Sequence, residues 1–426
     1  MLILFIFLVM VALICLNVPI AVALAIAGVI GLVGFEGVNS LVSVALDMYD
    51  GSTKFSLIAI PMFVLAGAIM NAGGVTDRLI NFVSALIGFV RGGLAMVNIG
   101  VSLFFAEISG SAVADVAAMG SILIPQMKKR GYSGPLAAAV TSSSASLAII
   151  IPPSIPMILY ATAANTSVEQ LFVAGIIPGL MGAAGLMAVA YGFAVKYNLP
   201  VEEAFNFKRV RETFIDALPA FTLPFIILGG IFGGFVTATE GAGLAVVAAL
   251  AVGFWYNQID FKHLKRAMLD GGMQTAVVML LVAASVLMGG FLTRAQIPQE
   301  LAAGILDLTS NKWLILLILN FLFLIIGFFL HSAAAIILVV PIVIPLIVAA
   351  GIDPVHFGLV VTLNLAIGQQ TPPVASVLIT ACAIARANIW EVTKVNIYFI
   401  AVLLAVLMIC TYVPSIPLFL VEYFYR

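Results

Sequence analysis

Apolar residues run along this chain in long blocks, and the polar gaps between them leave room for roughly ten to twelve segments of the ~20 residues that cross a bilayer. Several blocks are interrupted. Residues 1–34 are apolar apart from Asn17 and Pro19, begin without a basic region and lack a small-residue cleavage site. They read as retained membrane structure, either two spans or one long tilted helix. Between Arg91 and Lys128 lie about 36 residues, with Glu107, Ser109, Ser111 and Asp115 near their middle. That is short for two crossings and a turn. A re-entrant hairpin with Ser109-Gly110-Ser111 at a buried tip fits better, and two short tilted spans are the alternative. From Pro135 the chain is apolar to Ala164, yet Pro152, Pro153 and Pro156 remove backbone donors and clash with preceding carbonyls, so this helix must break near mid-membrane.

Sliding the sequence on itself by 220 residues superposes Ile124-Pro125 on Ile344-Pro345, Gly131 on Gly351 and Pro152-Pro153 on Pro372-Pro373. The second copy then carries a hairpin over Trp313 to Ala350 with His331-Ser332 near its tip. A second broken helix follows over Pro354 to Ala385, its break around Gly368 to Pro373. Segments 56–72 and 273–292 align, each followed by a less apolar stretch, 76–90 and 295–310, that suits an interfacial arm. The pair 1–16 and 19–34 matches 214–232 and 241–256 only loosely.

Composition confirms the solvent: with 63% hydrophobic and 9% charged residues, most of the surface must face lipid or other helices. Charge then supplies the orientation. Basic residues cluster at Arg78 and Arg91, Lys128-Lys129-Arg130, Lys196 to Arg211, Lys262 to Arg266, and Arg386 and Lys394. Putting all of these inside satisfies the positive-inside rule for 14 of the 18 basic residues. Lys128-Lys129-Arg130 correspond in the repeat to Val348-Ala349-Ala350, so the second copy faces the other way. The resulting fold class is an all-α polytopic membrane protein: an inverted-topology repeat with two re-entrant helical hairpins and two discontinuous helices. Residues 1–426 form one integral domain: 1–90 scaffold and arm of repeat 1, 91–170 first hairpin and broken helix, 171–310 connecting helix, scaffold and second arm, 311–390 second hairpin and broken helix, and 391–426 a C-terminal helix.

Broken helices at the midplane suit secondary transport, because half-helix N-termini favour anions and freed carbonyls coordinate Na⁺. Neutral oxygens surround both breaks: Thr141, Ser142, Ser143, Ser144, Ser146 and Ser154 at the first, Thr362, Asn364, Gln369, Gln370, Thr371 and Ser376 at the second. Intramembrane Glu107 and Asp115 suit either coupling and substrate orientation or a capping hydrogen bond. Glu240 stands three residues after Thr237, the spacing of a capping box. Arg294 reads as a solvated flank, with anion attraction or a partner contact as alternatives. Cys15, Cys382 and Cys410 have no metal or redox spacing, and no nucleotide-binding loop, nucleic-acid patch or catalytic constellation is present. The chain is expected not to be an enzyme and to need no cofactor.

These residues resemble the large membrane subunit of tripartite ATP-independent periplasmic (TRAP) transporters, within the wider ion-transporter superfamily. The resemblance rests on Ile108 to Ala114, Ile124-Pro125 through Tyr132, Ile151 to Met157, Thr237 to Glu240, and Gly368 to Val374. It implies an elevator mechanism in the bacterial inner membrane, with Na⁺ as coupling ion, a periplasmic substrate-binding protein, a small four-helix membrane subunit and an organic anion as substrate. Carried onto this sequence, it implies Na⁺ ligands among Ser109, Gly110, Ser111, Ser143 and Ile151 at one site, and His331, Ser332, Gly368 and Thr371 at the other. Substrate contacts are expected from Ser111, Asp115, Ser144, Ser154, Asn364, Gln369 and Gln370. The string Gly368-Gln369-Gln370-Thr371-Pro372-Pro373-Val374-Ala375 is similar to the family's sialic acid transporters, which favours that acid over C4-dicarboxylates and other sugar or keto acids. A stand-alone Na⁺/carboxylate symporter of the same superfamily is the competing reading.

Overall fold

The computed structural model describes residues 2–16, 18–202 and 204–425, and the side chains of all these except 2–4, 15 and 107–109. The expectations for the side chains of Cys15, Glu107 and Ser109 therefore fall outside the described residues. The chain opens with α1 (Leu2–Cys15), α2 (Ile20–Glu36), α3 (Leu41–Ser52), α4 (Ala59–Ala72) and α5 (Val75–Ile87). A hairpin of α6 (Gly93–Ser109) and α7 (Ala112–Lys129) follows, then α8 (Gly134–Ala145), α9 (Ile155–Ala164) and the long α10 (Val168–Lys196). Next come α11 (Phe207–Phe232), α12 (Ala238–Trp255), α13 (Phe261–Arg294) and α14 (Ile297–Leu308). The second half closes with the hairpin α15 (Lys312–Phe329) and α16 (Ser332–Ala349), then α17 (Pro354–Gly368), α18 (Ser376–Ala385), α19 (Ile389–Tyr412) and α20 (Ser415–Tyr425). Among the described residues no strand occurs, and eight helical stretches are long and apolar enough to cross a membrane.

The repeat governs these boundaries. The second hairpin arms, Ala112–Lys129 and Ser332–Ala349, are 220 residues apart at both ends. The arm stretches form α5 and α14, each about a dozen residues long and lying beside its hairpin. Leu2–Cys15 and Ile20–Glu36 form two helices packed on each other, because Pro19 has no N–H to continue α1 and becomes the N-cap of α2. The single C-terminal helix expected over 391–426 is divided at Val413-Pro414, where Val413 (φ −124°, ψ 74°) leaves the helical region ahead of the proline. Inside α11 the turn Phe225–Gly229 widens to a π-helix just after Pro224, where the ladder loses a donor.

Direct contacts gather the basic clusters on one side. Arg78 pairs with Asp216 at 3.4 Å and lies 3.7 Å over the Tyr256 ring, Arg130 pairs with Glu202 at 3.1 Å, and Lys128 Nζ donates to Ala385 O at 2.9 Å. The turn before α5 meets Gln258, four residues ahead of Lys262, which brings the remaining cluster to the same face. The opposite side has its own ties: Lys54 Nζ donates to Thr162 O at 3.3 Å, and Tyr160 Oη to Pro354 O at 2.8 Å. There Thr237 and Glu240 close the capping box, Thr237 Oγ1 accepting from Glu240 N and Glu240 Oε2 from Thr237 N. Arg294 differs from the solvated flank expected of it. Its guanidinium reaches Glu36 and Asp47, each at 3.1 Å, so a partly buried fork joins α13 to α2 and α3.

Helix α4 packs on α12 and α13, and α2 and α3 also pack on α13. Around the breaks α7 lies on α8 and on α18, while α16 lies on α17 and on α9, so each hairpin grips both broken helices. Helices α10 and α19 brace that unit from behind.

Candidate functional site

The first break is built by competing local rules. Ser133 caps α8 by accepting from Leu136 N, and Pro135 fits the first turn, where no N–H is needed. The helix tightens to a 3₁₀ turn at Ser146–Ile149 and unwinds over 150–154, through a cis Pro152-Pro153 bond, before α9 restarts. Ser154 Oγ donates to Ile149 O at 2.8 Å, satisfying one carbonyl that the break releases. At the second break Asp353 caps α17 and Thr371 Oγ1 donates back to Ile367 O at 3.0 Å. The chain passes a cis Pro372-Pro373 bond and a left-handed Ala375 (φ 43°) before α18 begins.

Each tip meets its break. Gly110 (φ 58°) ends α6 in the left-handed conformation, where a side chain would be strained, and a Cβ there would lie 3.0 Å from Pro153 O and 3.2 Å from Ile155 N. In the second half, Val374 N donates to Phe328 O at 3.3 Å, and Gly327 and Gly368 touch backbone to backbone. Of the sequence-predicted cation residues, Gly110 and Ile151 are thus near one break, and Gly368 and Thr371 form the edge of the other. Ser332 is buried at the start of α16, whereas His331 is exposed at the tip.

Ser143 sits in a buried knot between the two halves. Its Oγ lies 2.8 Å from Gln370 Oε1 and 2.7 Å from Asn396 Oδ1, while Asn396 Nδ2 donates to Gln370 O at 3.3 Å. One hydroxyl proton serves one acceptor. Ser143 Oγ therefore donates to Gln370 Oε1 or to Asn396 Oδ1, and the Gln370 amide nitrogen makes a 3.4 Å contact with Ala366 O. Ser144 and Asn364, 220 residues apart, hold equivalent places. Ser144 Oγ donates to Asn98 Oδ1 at 3.0 Å on α6, and Asn364 Nδ2 donates to Asn320 Oδ1 at 2.7 Å on α15. Asn98 also donates to Thr141 Oγ1 at 2.7 Å, and Asn320 to Thr411 Oγ1 at 3.2 Å on α19. Asn98, Asn320 and Asn396 were missed by the sequence reading. Their signal was an amide within an apolar block, where it costs free energy unless paired.

Two buried polar atoms near the second break have no hydrogen-bond partner among the described residues: Asn364 Oδ1, an acceptor, and Gln369 Nε2, a donor. The Asn364 orientation is fixed, because its Nδ2 already faces two acceptors, Asn320 Oδ1 and Val360 O. Asp115 is buried in the first turn of α7, and Ser111, partly buried, is its N-cap. No group of three His, Cys, Asp or Glu suited to a metal occurs among the described residues.

Paired hairpins and broken helices in an inverted repeat define a polytopic membrane permease. The family model for the tripartite ATP-independent periplasmic transporter, DctM component, matches residues 7–416, and the chain belongs to that family as the large membrane subunit of a TRAP transporter of the bacterial inner membrane. Among curated proteins it is 39% identical over 407 residues to the isethionate TRAP transporter permease protein DctMQ of Oleidesulfovibrio alaskensis, covering 95% of this chain and 64% of that longer one. It is 37% identical to a C4-dicarboxylate TRAP transporter large permease of Pseudomonas aeruginosa and 36% to a sialic acid TRAP transporter large permease of Vibrio cholerae, with 89% of each chain covered in both comparisons. Among solved structures, the YdaH transporter of Alcanivorax borkumensis, described as having an unusual topology, shares the fold. Its TM-score is 0.65 at 15% identity over 89% of both chains.

Proposed function

We propose that this chain performs Na⁺-coupled uptake of a small organic anion, delivered by a periplasmic binding protein, in a complex with a small four-helix membrane subunit. The observation that carries this is the meeting of each hairpin tip with a helix break, at Gly110 against Pro153 and at Gly327 against Gly368. Such junctions join half-helix N-termini, which favour an anion, to unwound carbonyls and hydroxyls, which suit a monovalent cation. One Na⁺ is assigned to Ser109, Gly110, Ser111, Ser143 and Ile151, the other to His331, Ser332, Gly368 and Thr371. The anion lies between them, and the unpaired Gln369 Nε2 is the donor best placed to meet its oxygens. The hairpins and broken helices travel as one body past the scaffold, in an elevator movement.

For the acid itself, relatives named for isethionate, C4-dicarboxylate and sialic acid stand at nearly equal identity, so similarity does not rank them. The Gln369-Gln370 pair supports sialic acid, whose hydroxyls match an amide donor. Reconstituted uptake of all three acids, with and without Na⁺, binding protein and small subunit, tests the reading. Uptake should require all components, and Ser111→Ala or Thr371→Ala should weaken the Na⁺ dependence of an inserted protein. Unchanged Na⁺ affinity in both variants rejects the ion assignment, and uptake by this chain alone establishes the stand-alone symporter instead.

A further inference from the structure

On the side away from the basic clusters, a cavity of about 250 Å³ opens between scaffold and moving body. Lys54 and Asp47 line its mouth, Ser285 and Gly289 of α13 one wall, and Thr162 of α9 with Ile337 of α16 the other. It lies apart from both breaks, since none of the residues assigned above to cations or substrate lines it. Three observations mark it as a built site. Ser285 is 2% exposed, lines the cavity, and its hydroxyl has no hydrogen-bond partner among the described residues. An unmet buried hydroxyl costs free energy until an oxygen ligand or water pairs with it. Asp47 is held by Arg294 at 3.1 Å, a guanidinium it shares with Glu36, whereas Lys54 makes one long bond, 3.3 Å to a neutral carbonyl, and keeps two N–H donors. Finally, Gly289 leaves open space: a Cβ built there has nothing within 4 Å.

We propose that this cavity is an outer waiting site, where the carboxylate or sulfonate of the incoming organic anion rests on the Lys54 ammonium and the Ser285 hydroxyl before it reaches the breaks. The proposal rests on the uptake reading above. The apolar walls suit the carbon skeleton, and the volume, just below the usual range for a ligand pocket, suits a small acid. A contact with the Lys54 ammonium acts on capture of the anion and leaves the carrying step alone.

The test is uptake of isethionate, succinate and N-acetylneuraminate by the full complex in vesicles, read as KM and Vmax. Gly289→Leu, whose Cβ meets open space, should take up cavity volume, and Ser285→Val should remove its hydroxyl. Each should raise KM for the transported acid at least tenfold and hold Vmax within about twofold. Lys54→Gln should do the same and Lys54→Arg should largely restore KM. Unchanged KM in Gly289→Leu overturns the proposal. So does a shift in Lys54→Gln alone, which would mean that Lys54 acts only through Thr162. A Gly289→Leu effect that disappears when anionic lipid is left out of the vesicles identifies a lipid headgroup as the occupant and also overturns it. Failure of the unmodified complex to take up any of the acids defeats the uptake reading itself, which separates the two failures.

Discussion

Gly368, the last helical residue of α17, rests directly on Gly327 of α15: a Cβ on Gly368 would lie 2.6 Å from both Cα and C of Gly327. No side chain can yield there, because the neighbour is backbone. Gly368→Ala should therefore force tip and break apart. Overpacking of this kind costs about 1–3 kcal/mol, and the upper end is expected. A lower melting temperature with reduced Na⁺-dependent uptake is the expected result, and Gly192→Ala, whose Cβ meets open space, serves as the control.

Gln369 and Gln370 are adjacent but have opposite accounts. Gln370 is tied into the Ser143–Asn396 knot, whereas the Gln369 amide nitrogen is buried and unmet. Gln370→Leu should cost stability by roughly 1–3 kcal/mol, since it orphans buried partners. Gln369→Leu should leave stability level or slightly raised and weaken substrate affinity. Thermal unfolding and uptake KM measured on both variants check the contrast.

Asn320 bridges Asn364 of the broken helix and Thr411 of the brace. Interhelical hydrogen bonds in membranes average about 0.6 kcal/mol and reach about 1.7. Asn320→Ala should thus lose roughly 1–2 kcal/mol. An Asn320→Ala and Asn364→Ala cycle should show coupling near the average value, measured by unfolding in mixed detergent.

On the basic side, Glu202 and Tyr132 titrate outside the membrane. Burial raises the Glu202 carboxyl above its ordinary value and Arg130 offsets part of that, while burial pushes the Tyr132 phenol up to about 12. A group whose folded pKa is raised binds its proton more tightly in the folded state, so its contribution is present below the unfolded pKa and lost as pH rises through the folded one. Stability should fall as pH climbs above the ordinary carboxylate range, and again between about 10 and 12. Glu202→Gln should flatten the first slope and Tyr132→Phe the second, in melting temperatures recorded across pH.

Much of the fold was legible because membrane crossing and symmetry leave simple marks. Lys128-Lys129-Arg130 against Val348-Ala349-Ala350 gave the inversion, and the Pro-Pro pairs located both breaks. The partners of Arg294 were not legible, since Glu36 and Asp47 lie 258 and 247 residues away and only packing of α2, α3 and α13 brings them together. The Asn320 bridge escaped for the same reason: an amide in an apolar run signals a partner without naming it. Around the site, sequence located the polar residues but not their state, and burial separated Gln369 from Gln370.

Lys128 stands among the charges that keep one end of the first hairpin from crossing, and its Nζ also closes Ala385 O, at the C-terminal end of a helix in the second half, 257 residues later. A residue that directs membrane insertion early in synthesis therefore has to wait, with its hydrogen bond unmade, for nearly the whole remaining chain. Assembly of the two halves finishes late, and a ribosome stalled before Ala385 would leave an inserted but unlatched protein, open to quality-control proteases.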